Sequence, residues 1–150
     1  MGKRGEIWVL MQALLLVSFI ALPSDAVPWS YSKEFGIAGW ICVAFGLLLL
    51  SWSALNLGRS LTPFPRPTEN GELITSGAYR IVRHSIYLGV LLTCLGFALA
   101  TASSARLGLT LVLFVFFDMK ARREEFWLKE RYPDYGLYQQ RVKRLIPWLY

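Results

Sequence analysis

Gly77-Ala78-Tyr79-Arg80-Ile81-Val82-Arg83-His84-Ser85-Ile86-Tyr87-Leu88-Gly89 is the stretch on which the reading of this chain turns. It carries the single histidine, His84, with Arg80 and Arg83 before it and Tyr79 and Tyr87 around it. An uncharged run, Ser85–Ala105, begins at its end. Two guanidinium groups, an imidazole and two phenols thus gather at the mouth of a membrane-type helix, a costly place for polar groups unless they bind something. The plainer reading is a positive-inside anchor with interfacial tyrosines. That accounts for the arginines and tyrosines, but not for His84 or for a second polar cluster further on.

Outward from this stretch the chain is apolar. Its 150 residues are 55% hydrophobic and 15% aromatic, and its mean hydropathy is +0.41. An ordinary soluble domain of this size is more polar. The uncharged runs Ile7–Ser24, Phe35–Gly58 and Ser85–Ala105 each approach or exceed the roughly 17–25 residues of a spanning helix. The class expected is all-α: a polytopic membrane protein of about four transmembrane helices. Residues 1–150 read as one domain, with a cytoplasmic-side site built on the last helical hairpin.

The net charge of +6 is a topology signal rather than a nucleic-acid signal. Of the 16 Lys and Arg, all but Lys33 and Arg106 fall before the first run, between the second and third, or after Phe117. Four crossings put those groups on one side, with both termini cytoplasmic and anionic lipid nearby. Cys42 and Cys94 lie within apolar runs with no metal spacing, and a lone histidine excludes a multi-histidine metal site, so no metal is expected.

Lys3-Arg4, Ile7–Leu22 and Ser24-Asp25-Ala26 also have the order of a secretory signal peptide. An uncleaved first helix keeps the count even, and we read it so. Pro23, Pro28, Trp29 and Tyr31 then form an outer interfacial belt. Gly36, Gly39 and Gly46 in the second helix would permit close helix approach. The polar connection Leu57–Tyr79 contains Pro63-Phe64-Pro65-Arg66-Pro67, which favours extended backbone, and a turn signal at Glu69-Asn70-Gly71. Its length and stiffness suit a binding strap. Thr101-Ala102-Ser103-Ser104 closes an outer hairpin. The fourth helix is apolar only over Leu107–Phe117, about 16 Å, and meets no breaker before Pro133. Asp118 and Lys120 should then face the bundle interior or a wet cavity. The tail, Tyr132–Tyr150, read alone is an interfacial segment on the inner leaflet.

Two clusters converge at the inner ends of the paired third and fourth helices, Tyr79–Tyr87 and Lys120–Glu125. A pocket between them, half roofed by the proline-rich loop, would offer cations, an imidazole and a carboxylate. Adjacent Glu124 and Glu125 diverge by about 100° and cannot act as a facing acid pair. Read in isolation they are solvated surface charges paired along the helix. No G-x-G or G-x-S-x-G occurs.

Taken together the motifs resemble a known family. Leu73-Ile74-x-x-Gly77-x-Tyr79-x-x-x-Arg83-His84-x-x-Tyr87-x-Gly89, then Glu124-Glu125-x-x-Leu128, Tyr135-x-x-Tyr138-x-x-Arg141-Val142 and Ile146-Pro147 resemble the signature of the isoprenylcysteine carboxyl methyltransferases. These are small integral-membrane enzymes related to the phospholipid methyltransferases, and the resemblance spans about residues 62–148. It implies S-adenosylmethionine as cofactor and a lipophilic acceptor from the bilayer, most simply an isoprenylcysteine-type carboxylate. By matched position it implies cofactor contacts from Leu73, Ile74, Tyr79, His84, Tyr87 and Glu124. Arg83 and Glu124 take the catalytic roles, and Arg83 and Lys120 the substrate contacts. Two positions depart from the pattern. Lys120 stands where eukaryotic members tend to have arginine, and Ser85 replaces the proline of Arg-His-Pro, where it could start the helix by capping it. Other readings are a phospholipid amine or small-thiol methyltransferase, an NADPH-dependent membrane reductase sharing the Arg-His-x-x-Tyr-x-Gly stretch, and a non-catalytic lipid-binding protein.

Overall fold

A computed structural model describes residues 5–25, 29–30, 32–68 and 71–150. Lys3, Arg4, Ala26, Pro28, Tyr31, Glu69 and Asn70, which figure in the expectations above, lie outside the described residues. Among the described residues five α-helices follow one another: α1 Glu6–Ala21, α2 Ser32–Leu57, α3 Ser85–Ala100, α4 Ser104–Arg131 and α5 Tyr135–Arg141. Single 3-10 turns at Gly58–Ser60 and Gly77–Arg80 punctuate the long connection. Among the described residues the only β pairing is an isolated parallel bridge between Val82 and Lys143.

α2 and α3 form the main helix pair, and glycines explain how close they come. A Cβ on Gly39 would lie 2.5 Å from Ala100 N and 2.6 Å from Gly96 O. One on Gly46 would lie 2.6 Å from Thr93 N and 2.9 Å from Gly89 O. Hydrogen at these positions lets the two backbones touch, as in small-residue seams of membrane helices. Gly36 takes no part: nothing lies within 4 Å of a Cβ there.

The outer turn between α3 and α4 is tight, with Ala102 at φ 44° and Ser103 capping α4 by accepting from Arg106 N at 3.3 Å. Arg106, one of the two cations that break the charge asymmetry, is buried and does structural work. It donates to Leu22 O, to Phe19 O at 3.4 Å and to Thr101 Oγ1 at 2.8 Å, and lies over the Phe97 ring. It thereby satisfies carbonyls at the end of α1 that have no helical partner. α1 belongs to the core as well: Phe19 packs with Leu91, Cys94, Ala98, Leu113, Phe116 and Phe117.

The distribution of polarity is inverted relative to a water-soluble fold. Leu10, Leu14 and Ile20 of α1, Phe45, Leu48 and Leu55 of α2, and Leu111 and Val115 of α4 point outward, with Leu55 80% exposed. Arg83, His84, Arg106, Lys120 and Glu125 are buried. A continuous apolar exterior of this kind suits hydrocarbon rather than water. The four expected spans are met only in part. Among the described helices, Ser32–Ser60 alone is long and apolar enough to cross a bilayer by itself, with mean hydropathy 2.0 over its best window. α1 and α3 are apolar but 16 residues each, about 24 Å of rise.

The tail, read from the sequence as an interfacial segment, packs against the signature stretch. α5 and the segment after it fold back over the Gly77–Gly89 stretch, where Arg83 N donates to Lys143 O at 2.8 Å and His84 N to Arg144 O at 3.1 Å. Tyr135 and Tyr138 are buried against it.

Candidate active site

Gly77 opens the site. Its φ of 58° suits glycine, and a Cβ would lie 2.0 Å from Asn56 Oδ1, which accepts from Ala78 N at 2.8 Å. This fixes the 3-10 turn that carries Tyr79 against the end of α2. Ser85 differs from expectation: α3 begins at Ser85 itself, and His84 is the preceding cap residue, without a side-chain capping bond. The Ser85 hydroxyl instead turns back to Val82 O at 2.8 Å and Ala78 O at 3.0 Å. It ties the turn together from within, a role proline could not fill through a hydrogen bond.

A cavity of about 390 Å³ lies beneath this turn, between α3, α4 and the proline-rich loop. Leu73, Ile74, Tyr79, Arg83, His84, Tyr87, Lys120 and Glu124 all line it, so every site residue expected from sequence reaches one space. Gln12 of α1 and Leu61, Thr62, Pro63, Pro67 and Thr68 of the loop complete one side. Tyr132, Tyr135 and Tyr138 complete another. The loop is held in place by Lys120 Nζ, which donates to Pro63 O at 3.0 Å and to Gln12 Oε1. Tyr132 Oη adds a bond to Gly71 O at 2.6 Å, and Ser60 Oγ accepts from Glu72 N at 2.9 Å.

The two adjacent glutamates do different things. Glu124 faces the cavity with its side chain 26% exposed, and Oε2 accepts from Tyr87 Oη at 2.6 Å. No protein group among the described residues bonds its Oε1. The expectation that both are solvated surface charges fails for Glu125, which is 4% exposed. Glu125 Oε1 accepts from Arg83 Nε at 2.9 Å and Nη2 at 2.8 Å, and Oε2 from Arg144 Nη2 and Gln139 Nε2, both at 3.1 Å. Burial pushes the Glu125 carboxyl up, but hydrogen bonds and charge from His84, then Arg144 and Arg83, outweigh it and hold it well below its ordinary value. The physical reason is the 100° step between neighbours on a helix: as Glu124 turns to the cavity, Glu125 turns to the docked tail.

His84 stands between them, with Nε2 3.2 Å from Glu125 Oε1 and Nδ1 3.8 Å from Glu124 Oε2. Its ring stacks on Tyr87 at 5.2 Å, and Tyr87 stacks on Phe117 at 4.8 Å. Lys120 lies over the Tyr87 ring at 5.2 Å.

Arg83 is more occupied than its expected role suggests. Besides Glu125, its Nη1 donates to Gln139 O at 3.1 Å and to Val142 O. Nε and Nη1 are thereby spent, and one Nη2 hydrogen remains. The bidentate fork grips Glu125 and the tail, so Arg83 is first of all the clasp between the signature stretch and α5.

Sequence reasoning missed Gln12, Glu125, Arg144 and the paired tyrosines as parts of the site. Tyr135 and Tyr138 carried a usable signal, since spacing of three puts both rings on one helix face. Arg144 carried none, because only the folded tail brings it to Glu125.

Comparison with known proteins places the chain in a family. A family model for phospholipid methyltransferases matches residues 35–135. A probable protein-S-isoprenylcysteine O-methyltransferase of Oryza sativa subsp. japonica is 29% identical, over 99% of this chain and 84% of its own length. Protein-S-isoprenylcysteine O-methyltransferase B of Arabidopsis thaliana is 29% identical over 74% of this chain and 58% of its own length. The Schizosaccharomyces pombe protein-S-isoprenylcysteine O-methyltransferase is 27% identical over 88% and 57%. The family match covers more than half of the chain and includes the cavity-lining turn, both glutamates and Tyr135, so the chain belongs to the phospholipid methyltransferase family and is a methyltransferase.

Proposed function

We propose that the cavity binds S-adenosylmethionine from the cytosol and an isoprenylcysteine-type carboxylate from the bilayer, and that the chain methylates that carboxylate. The observation that carries this reading is the convergence of all eight expected residues on one space beside an apolar exterior. Its volume of about 390 Å³ lies in the range of small-molecule sites, roughly 300–1,000 Å³. Glu124 Oε1, free of protein donors among the described residues, suits the cofactor's amino or ribose groups. Leu73, Ile74 and Tyr79 supply the apolar wall beside it. When bound, S-adenosylmethionine supplies a sulfonium methyl that a carboxylate oxygen can take, the old bond's electron pair returning to sulfur, with no metal or protein nucleophile.

The protein's share is binding, alignment and dryness. Tyr87 holds Glu124 by its hydroxyl, and His84 braces both against Glu125. Arg83 keeps one N–H for the acceptor, and Lys120 has a third ammonium hydrogen beyond those given to Gln12 and Pro63. The loop from Pro63 to Thr68 covers the cavity and limits water. The names of the relatives support the carboxylate, while the name of the family supports a phospholipid amine as the second reading.

The same reading places four spans in the bilayer, with both ends and the cavity on the cytoplasmic side, since the basic groups after Phe117 and between α2 and α3 then share one face. Purified protein given methyl-labelled S-adenosylmethionine and N-acetyl-S-farnesylcysteine should yield a base-labile methyl ester. Label that stays in a phospholipid headgroup after base treatment favours the amine instead. Reporter fusions at Ser30, Ser76, Ser103 and Tyr150 check the topology, and an external Ser76 overturns it.

A further inference from the structure

The hydroxyl of Tyr135 is the feature of the cavity that the reading above leaves unused. Tyr135 is 1% exposed and lines the cavity, yet its Oη has no hydrogen-bond partner among the described residues. Its neighbours are not treated so: the hydroxyls of Tyr87, Tyr132 and Tyr138 reach Glu124 Oε2, Gly71 O and Tyr79 O, each at 2.6 Å. A buried hydroxyl without a partner is uncommon and calls for a ligand or water to complete it. The ring is held edge-to-face against Tyr138 at 5.8 Å, on the helix that Arg83 clasps through Gln139 O. Its position is therefore set by the same tail that occupies the Arg83 fork.

Resting on the proposed carboxylate acceptor, we propose that Tyr135 is a substrate-binding residue: its hydroxyl donates to the acceptor's carboxylate oxygen that does not take the methyl, beside the remaining Nη2 hydrogen of Arg83. Burial and then the Glu125 charge push the Tyr135 phenol well above its ordinary value, so it keeps its proton and can donate. That proton stays on Tyr135 throughout, as the methyl passes to the other oxygen. The arrangement replaces a bidentate guanidinium, which Glu125 has taken, by two single donors from different elements. It favours an anionic acceptor, because an amine that reacts as a neutral nucleophile gains nothing from a donor.

Tyr135→Phe removes the oxygen and keeps the ring. With N-acetyl-S-farnesylcysteine and methyl-labelled S-adenosylmethionine, the variant should lose about ten- to a hundred-fold in kcat/KM, the range for a hydrogen bond to a charged group. Cofactor affinity by calorimetry and the melting temperature of the ligand-free protein should match wild type, since no protein bond is lost. Tyr138→Phe, which does lose a protein bond, should melt lower. Unchanged kcat/KM for Tyr135→Phe beside an active wild type overturns the inference alone. So does a loss confined to cofactor affinity, which would move Tyr135 to the other ligand. A wild type that leaves the carboxylate unmethylated overturns the inference together with the reading on which it rests.

Discussion

Glu125→Gln keeps the shape of the side chain and deletes its charge. In the folded protein that charge faces two guanidinium groups, Arg83 and Arg144, with side-chain exposures of 6% and 16% against 5% for Glu125. Removing one partner of a buried pair typically costs about 3–5 kcal/mol, because the remaining charge stays buried without compensation. The amide retains one acceptor oxygen, which places the expected loss near the lower end, about 3 kcal/mol. At roughly 2–4 °C per kcal/mol for a chain of this length, the melting temperature should fall by about 6–12 °C. The assay is thermal unfolding in a fixed detergent, with Glu124→Gln as comparison. Glu124 has a side chain 26% exposed and receives one protein hydroxyl, so its change should cost no more than about 1 kcal/mol. Arg83 also binds carbonyls of α5 and the residue after it, so Glu125→Gln should open the tail to proteolysis near Arg141. Equal melting of the two variants would refute the burial argument.

Acid should act through the same carboxylate. Glu125 titrates lower in the folded state than its ordinary 4.5, so its stabilisation is present above that value and is lost as pH falls through the folded one; the melting gap between wild type and Glu125→Gln should narrow as pH is lowered from about 4.5. In the α2–α3 seam, Gly39→Ala would put a Cβ 2.5 Å from Ala100 N and should destabilise by about 1–3 kcal/mol, whereas Gly36→Ala meets open space and should be neutral or slightly stabilising in the same unfolding measurement. Gly77→Ala combines a positive φ with a 2.0 Å approach to Asn56 Oδ1 and should lower both the melting temperature and methyl transfer.

Which parts of this structure could be read in advance follows from the range of the interactions. The α3–α4 hairpin and the unbroken run of α4 to Arg131 were legible, because apolar length, a Ser-rich turn and the absence of proline act locally. The shared cavity was legible for the same reason: a hairpin brings the inner ends of its helices together, and with them His84, Tyr87, Lys120 and Glu124. Glu125 was misread because its partners come from Arg83 on one side and Arg144 on the other, and spacing along α4 cannot show a tail folded back from beyond Pro133. The hold of Arg83 on Glu125 and on α5 was hidden for the same reason. Ser85 was misread because a serine before an apolar run has the look of a cap, while its hydroxyl found carbonyls in the preceding turn. The count of spans rests on lengths that fall short of the bilayer for α1 and α3, so charge distribution rather than helix length supports it.

Calorimetric titration of S-adenosylmethionine into wild type and Glu124→Gln, with NADPH as the control ligand, tests most directly whether this cavity is the methyl-donor site. The account predicts saturable binding of S-adenosylmethionine to wild type, none of NADPH, and a loss of affinity of about 1.5–3 kcal/mol in Glu124→Gln. Equal affinity in the two proteins, or binding of NADPH in place of S-adenosylmethionine, would contradict it.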